Sequence, residues 1–231
     1  MLVREVMTSP AVTVRRTDTV RRAIRVLHGH DITAAPVLDG SGRLVGVVSE
    51  MDLLRDEFEP DPRATAIPPS GGGTPPPHRV EEVMTADVVT VTGTTDVTVA
   101  IDLMVGRRIK SLPVVGGGGD VVGVVSRRDL MAMLARPDEE LRGEVVEALR
   151  EQYPGGPVWE VAVRDGVAEL TGAFEHAGIE HAGIGPAGLE NAGFENADKT
   201  ARIAGLLART VPGIVRVRFL TPPSAPEVSP R

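Results

Sequence analysis

Over the first 135 residues the apolar positions fall into short runs of two kinds, β-branched stretches and stretches of helical period. Val12-Thr13-Val14 is a strand candidate. Thr19, a good N-cap, opens a helix whose apolar positions Val20, Ala23, Ile24 and Leu27 share one face. Gly29 is expected to stop it. Ala35-Pro36-Val37-Leu38 begins a second strand, with proline near its start, where it is tolerated. A turn from Asp39 to Gly42 leads to a third strand, Gly46-Val47-Val48-Ser49. Ser49-Glu50-Met51-Asp52 then feeds Leu53 and Leu54 of a second helix. The expected order is β-α-β-β-α.

The whole pattern returns. Residues 3–54 lie on residues 80–131 without a gap at a constant offset of 77, and about half of the positions are identical. Val3-Arg4-Glu5-Val6-Met7-Thr8 answers Val80-Glu81-Glu82-Val83-Met84-Thr85. Asp96 answers Thr19, and Gly106 is expected to end the second copy's helix. Gly123-Val124-Val125-Ser126-Arg127-Arg128-Asp129 answers the strand-to-helix junction at Gly46 to Asp52.

That doubled Ser-x-x-Asp admits two readings. It is a helix capping box, in which serine satisfies the N3 amide and the acid reaches back. It is also a place where an aspartate beside a helix start could accept hydrogen bonds from both hydroxyls of a ribose, with phosphate at the helix N-terminus. The copies differ beside it. Ser126 is followed by Arg127 and Arg128, and Ser49 by Glu50 and Met51; before the proline strand stand Arg107, Arg108, Ile109 and Lys110 against His30, Asp31, Ile32 and Thr33. Arginine gives charge-assisted bonds to phosphate, so a phosphorylated ligand is expected to prefer the Asp129 side over the Asp52 side. Ordinary solvated surface cations remain the alternative for Arg127, Arg128 and Lys110.

The runs Val-Met-Thr, x-x-Pro-Val and Gly-Val-Val-Ser-x-x-Asp-Leu resemble a cystathionine-β-synthase (CBS) domain, and two in tandem resemble a Bateman module. The resemblance covers nearly all of residues 1–135 and implies two clefts that take adenosine ligands such as AMP, ATP or S-adenosylmethionine. The junctions themselves point to ribose contacts at Asp52 and Asp129 and to phosphate or helix-start contacts at Ser49, Ser126, Arg127 and Arg128. The resemblance implies phosphate contacts at Lys110 and Thr33, and an adenine pocket at Thr8, Val12, Thr85 and Val89. For the valines, a β-branched core position is an equal explanation.

Residues 57–79 are a Pro/Gly-rich linker that cannot build a packed core. Beyond residue 137 the pattern changes. A helix is expected from about Asp138 to Gln152 with Leu141, Val145, Val146 and Leu149 on one face. Trp159, Val161 and Val163 alternate, Asp165-Gly166 is a hairpin turn, and Val167 to Gly172 is the return strand. A helix from about Ala197 to Thr210 carries Ile203, Leu206 and Leu207, and Val215, Val217 and Phe219 alternate with Arg216 and Arg218. The order α-β-β-α-β, with Asp-Gly-Val-Ala-Glu-Leu-Thr-Gly and Val-Pro-Gly-Ile-Val-Arg-Val, resembles a BON domain, a family associated with phospholipid or protein binding. Residues 175–197 read as five-residue, glycine-rich units and are expected to form a mobile insertion in residues 138–220, with 221–231 a disordered tail.

The fold class expected is therefore α+β: CBS repeats at 1–56 and 80–137 packed as a pair, and a small BON domain. Cysteine is absent, which excludes disulfides and thiolate metal sites. No third ligand accompanies His28 and His30, and no nucleophile–base pair, carboxylate pair or P-loop is evident, so no catalytic or metal residues are assigned and no cofactor is required. Residues 138–220 hold 8 basic and 14 acidic side chains, a poor footprint for nucleic acid or an anionic membrane. With neither signal peptide nor apolar span, a cytoplasmic location is expected. The function expected is a non-catalytic regulatory sensor: adenine nucleotide on the CBS pair, a homodimer through that pair, and an interaction through the BON part. The alternatives are a ligand-free dimerising scaffold and a peripheral phospholipid-binding protein.

Overall fold

The computed structural model of the chain describes residues 1–55, 61, 63, 78–153, 159–172 and 189–220. They form two compact units, one of residues 2–130 and one from Met131 onward. Among the described residues no helix is long and apolar enough to cross a membrane.

In the first unit both copies realise β-α-β-β-α. The first comprises β1 (Val14–Arg15), α1 (Val20–Gly29), β2 (Ala34–Leu38), β3 (Leu44–Ser49) and α2 (Glu50–Leu54). A single turn, α3 (Val80–Val83), precedes the second, which comprises β4 (Val91–Thr92), α4 (Val97–Arg107), β5 (Ser111–Val115), β6 (Val121–Ser126) and α5 (Arg127–Leu134). Each copy makes a three-stranded sheet in chain order, its first pair parallel and its second antiparallel. Pro36 and Pro113 fall where the middle strand has one neighbour rather than two, because β1 and β4 pair only with the two residues that follow. The core keeps the repeat's register. Val14, Val20, Ala23, Leu27, Ala35, Val37, Val48 and Leu53 are buried in one copy, and Val91, Val97, Ala100, Met104, Leu112, Val114, Val125 and Leu130 in the other.

The N-terminal arm of each copy packs on the other copy. Val3 and Arg4 donate to the carbonyls of Thr95 and Gly93, while Val80 and Glu81 donate to those of Asp18 and Arg16. Val80 joins the apolar core of the first copy. Further along the same arms, Thr8 bridges to Val124 and Thr85 to Val47, each by a reciprocal pair of backbone bonds of 2.9–3.0 Å. Glycine permits this crossing. A Cβ at Gly123 would lie 2.9 Å from the Thr8 carbonyl oxygen, and one at Gly46 3.1 Å from that of Thr85.

Thr19 caps α1 by accepting from Arg22 N–H, and Asp96 caps α4 by accepting from Thr98 N–H. The helix ends differ from expectation. α1 includes Gly29 and α4 runs one residue past Gly106; the left-handed residues are Asp31 (φ 52°) and Arg108 (φ 56°), which occupy the same place in the two copies. The turn falls there because Ile32 and Ile109 donate back to the carbonyls of Leu27 and Met104, closing each helix beyond its glycine.

In the second unit α6 (Asp138–Gln152) is followed by the hairpin β7 (Trp159–Arg164) and β8 (Val167–Gly172), then α7 (Leu189–Ala208) and β9 (Arg216–Leu220). The turn residues Asp165 (φ 50°) and Gly166 (φ 70°) both take the positive φ that a two-residue hairpin requires. Their N–H groups donate to the Asp138 carboxylate at 2.8 and 3.0 Å. The sheet order is β7-β8-β9, with β8 and β9 parallel. Leu141, Val145 and Leu149 of α6 pack with Val161, Ala168, Leu170, Ala204 and Ala208. One expectation changes here. The last helix begins at Leu189, inside the glycine-rich stretch; the single glycine in its added turns, Gly193, costs about 1 kcal/mol, and Leu189, Glu190, Ala192, Glu195 and Ala197 beside it favour helix. Leu206 is 65% exposed, because Ala204 and Ala208 form the face that meets the sheet. The rest of the 175–197 insertion, the linker apart from Asp61, Arg63, His78 and Arg79, and the 221–231 tail lie outside the described residues.

Candidate functional site

Because the arms cross, each strand-to-helix junction of the first unit meets residues of the other copy in a cleft. One cleft, about 330 Å³, is lined by Thr33, Ser49, Glu50, Met51 and Asp52 of the first copy and Thr85, Asp87, Val89, Arg108 and Lys110 of the second. The other, about 270 Å³, is lined by Thr8, Val12, Asp31 and Ile32 of the first copy and Val124, Ser126, Arg128 and Asp129 of the second. Every residue assigned from sequence except Arg127 lines one of them; Thr33 lines both.

Capping of each Ser-x-x-Asp helix start occupies one carboxylate oxygen. Asp52 Oδ2 accepts from the Ser49 backbone at 2.9 Å and from its hydroxyl at 2.7 Å. Asp129 Oδ2 does the same with Ser126 at 2.7 and 2.6 Å. That fixes each carboxylate on its helix and leaves Oδ1 for other contacts. Asp129 Oδ1 accepts from the Thr8 hydroxyl at 3.0 Å, the sequence-assigned residue brought in by the crossed arm. No described residue donates to Asp52 Oδ1, and Thr85 lines the same cleft without bonding it.

The cations are distributed otherwise than the chain order suggests. Lys110 lies in the Asp52 cleft, not beside Asp129, and Arg108 joins it there from its left-handed position. Among the described residues neither has an ion-pair partner. In the Asp129 cleft, Arg128 donates to the Asp31 carboxylate at 2.6 Å and to the Asp31 carbonyl at 2.7 Å, tying the copies together. The related pair in the Asp52 cleft is Arg108 and Met51, which cannot form such a bridge. Asp31 and Arg108 as site residues were missed from sequence; their pairing across the offset of 77 becomes meaningful only once the clefts are known to be shared.

Among proteins of known sequence, the chain is 28% identical over 149 residues to an uncharacterized protein of Acidianus ambivalens, covering 61% of this chain and 82% of that one. It is 28% identical over 127 residues to inosine-5'-monophosphate dehydrogenase of Methanocaldococcus jannaschii, but spans only 22% of that enzyme. Among solved structures it is similar to the CBS domain pair of protein MJ0100 in complex with 5'-methylthioadenosine and S-adenosyl-L-methionine. That likeness has 25% identity and a TM-score of 0.47, covering 58% of this chain and 94% of the other. Residues 3–58 and 80–136 each match the family model described as CBS domain. The two crossed copies are a tandem pair of CBS domains.

Proposed function

We propose that the CBS pair is a regulatory, non-catalytic module whose clefts each take an adenosine-containing ligand, and that the C-terminal unit engages a partner. The observation that carries the ligand reading is the divided carboxylate. In both clefts one oxygen of the aspartate is held by its serine; the other has no donor among the described residues at Asp52 and accepts from the Thr8 hydroxyl at Asp129, and each cleft is lined by Val, Ile and Thr side chains. A fixed acceptor beside an apolar slot suits a ribose diol next to a purine. Asp52 and Asp129 would hold the ribose, with Thr85 and Val89 or Thr8 and Val12 along the base. Volumes near the lower end of the usual range for ligand pockets, about 300–1,000 Å³, favour a single mononucleoside in each. Ser49, Ser126 and Thr33 would act at the phosphate end.

The two cations, without ion-pair partners among the described residues, support placing the more charged ligand in the Asp52 cleft, the reverse of the preference inferred from chain order. Arg108 and Lys110 would meet phosphate there, as AMP or ATP, while the Asp129 cleft, with Arg128 as its single arginine or lysine, suits a less charged adenosine compound. Arg127 falls back to ordinary surface. For the C-terminal unit, the support is its α-β-β-α-β order, shared with the BON domains it resembles.

Titration calorimetry with AMP and adenosine tests the reading. Asp52→Asn with Asp129→Asn should weaken both compounds, since each charge-assisted hydrogen bond is worth about 1.5–3 kcal/mol. Arg108→Ala with Lys110→Ala should weaken AMP roughly ten- to a hundredfold and leave adenosine nearly unchanged. Binding of neither compound by the wild type, or equal losses for both from the cation changes, would refute it.

A further inference from the structure

The C-terminal unit carries a surface that its overall acidity conceals. Between α7 and β9 runs an open groove of about 690 Å³, lined by Arg202, Leu206 and Arg209 on the helix side and Val215, Arg216 and Phe219 on the strand side. Among the described residues no acidic side chain lines it, in a segment of 14 acids and 8 bases. Among the described residues none of the three arginines has an ion-pair partner, whereas Arg136 and Arg142 of the same unit are each bound to glutamates. Leu206, Val215 and Phe219 are 65%, 50% and 47% exposed. Among the described residues β9 is the edge of its sheet, hydrogen-bonded to β8 alone.

We propose that this groove receives an extended acidic peptide that adds to the free edge of β9. Its carboxylates meet the arginines, and its alternate apolar side chains cover Leu206 and Phe219. Strand addition uses backbone bonds for affinity and alternate side chains for specificity, which matches an open edge beside an apolar floor. Charged residues on an edge strand also serve to block unwanted pairing. That role accounts for Arg216 but not for Arg202 on α7 and Arg209 just beyond its end, which line the groove from the helix side. A lipid bilayer is the poorer occupant: it offers the strand edge no backbone partners, and the unit's net negative charge opposes an anionic surface. The proposal rests on the reading of the C-terminal unit as the interacting part and is independent of any ligand in the CBS clefts.

The test uses the full-length chain and a fluorescein-labelled octapeptide of alternating glutamate and valine carrying one photoreactive side chain. Fluorescence anisotropy should show binding that weakens as salt rises, and none to the matching lysine–valine peptide. Arg202→Glu with Arg209→Glu should weaken binding at least tenfold. N-methylation of alternate peptide amides should do the same with the wild-type protein, which keeps the test informative if the double variant folds poorly. Photocrosslinks should map to residues 202–220. Crosslinks elsewhere in residues 138–220 would overturn the groove but not the broader reading; crosslinks confined to residues 2–130 would overturn both. Binding indifferent to charge reversal and N-methylation, or binding to phosphatidylglycerol vesicles but not to the peptide, would also overturn it.

Discussion

Adding one methyl group at Gly123 probes the crossed arms directly. The new Cβ would lie 2.8 Å from Met7 Sδ and 2.9 Å from the Thr8 carbonyl oxygen; at Gly46 the distances are 2.7 Å to Met84 Sδ and 3.1 Å to the Thr85 carbonyl oxygen. A thioether on a flexible side chain can swing aside cheaply. The carbonyl cannot, because it accepts the bridging N–H of Val124 or Val47. For Gly123→Ala, overpacking of about 1–3 kcal/mol adds to partial loss of two bridge bonds worth about 1 kcal/mol each. Replacing glycine within a strand returns about 0.5–1 kcal/mol. The net loss is about 2–3 kcal/mol, or a melting temperature lower by roughly 4–12 °C for a chain of this size. At Gly46 the carbonyl needs to yield only a few tenths of an ångström, so overpacking and propensity nearly cancel and the loss is about 0–1 kcal/mol. Thermal unfolding followed by circular dichroism, with urea midpoints as a second measure, reads both. If Gly123→Ala melts with the wild type, or Gly46→Ala proves the worse of the two, the arms do not cross as tightly as described.

Two further outcomes follow from the polar contacts. The Ser41 hydroxyl, the Arg43 backbone N–H and further donors on Ser41 and Arg43 hold the Asp39 carboxyl well below the usual carboxylate range. Its folded value is depressed, so its contribution to stability is complete above the unfolded value of about 3.9 and is lost as pH falls through the folded value. A carboxyl-carbon NMR titration should find Asp39 still ionised where other aspartates have protonated; a normal midpoint would contradict the turn geometry. Asp138→Ala should cost about 1–2 kcal/mol by stripping the acceptor from the Asp165 and Gly166 N–H groups, and an unchanged unfolding midpoint would show that water replaces it fully.

How far these features could be read in advance depended on whether the signal was local. The β-α-β-β-α order and the register of the core were legible because Val20, Ala23 and Leu27, and their partners 77 residues on, repeat a helical period that neighbouring residues alone determine. The bounds of α6 were legible for the same reason. The crossing of the arms was not. Val3 and Val80 are the same residue in the same frame, so packing on its own copy or on the other copy would yield one local pattern. The allotment of cations depended on that crossing, which is why Lys110 and Arg108 belong with Asp52 rather than with their chain neighbour Asp129. Leu206 marks a different limit. Helical period identified an apolar residue near the buried face, but the width of the face is set by the sheet, and small Ala204 and Ala208 lie under it.

The copies share a backbone and differ in what it presents. Asp31 and Arg108 adopt the same left-handed conformation at the mouths of their clefts, yet one is an acid that binds Arg128 and the other a base opposite Met51. Net charge does not separate the clefts: Arg108 and Lys110 are set against Glu50, Asp52 and Asp87 on one side, and Arg128 against Asp31 and Asp129 on the other. Nor does the ion pair itself, since an exposed bridge such as Asp31–Arg128 is worth about 0–1 kcal/mol and would yield to a phosphate. What remains is the number of cations within reach, two against one. One additional charge-assisted bond of about 1.5–3 kcal/mol corresponds to roughly ten- to a hundredfold in affinity. Both cleft mouths are open to solvent, which pulls the figure toward its lower end. A phosphorylated ligand should therefore fill the Asp52 cleft first by about tenfold, with the second cleft following at higher concentration rather than staying empty.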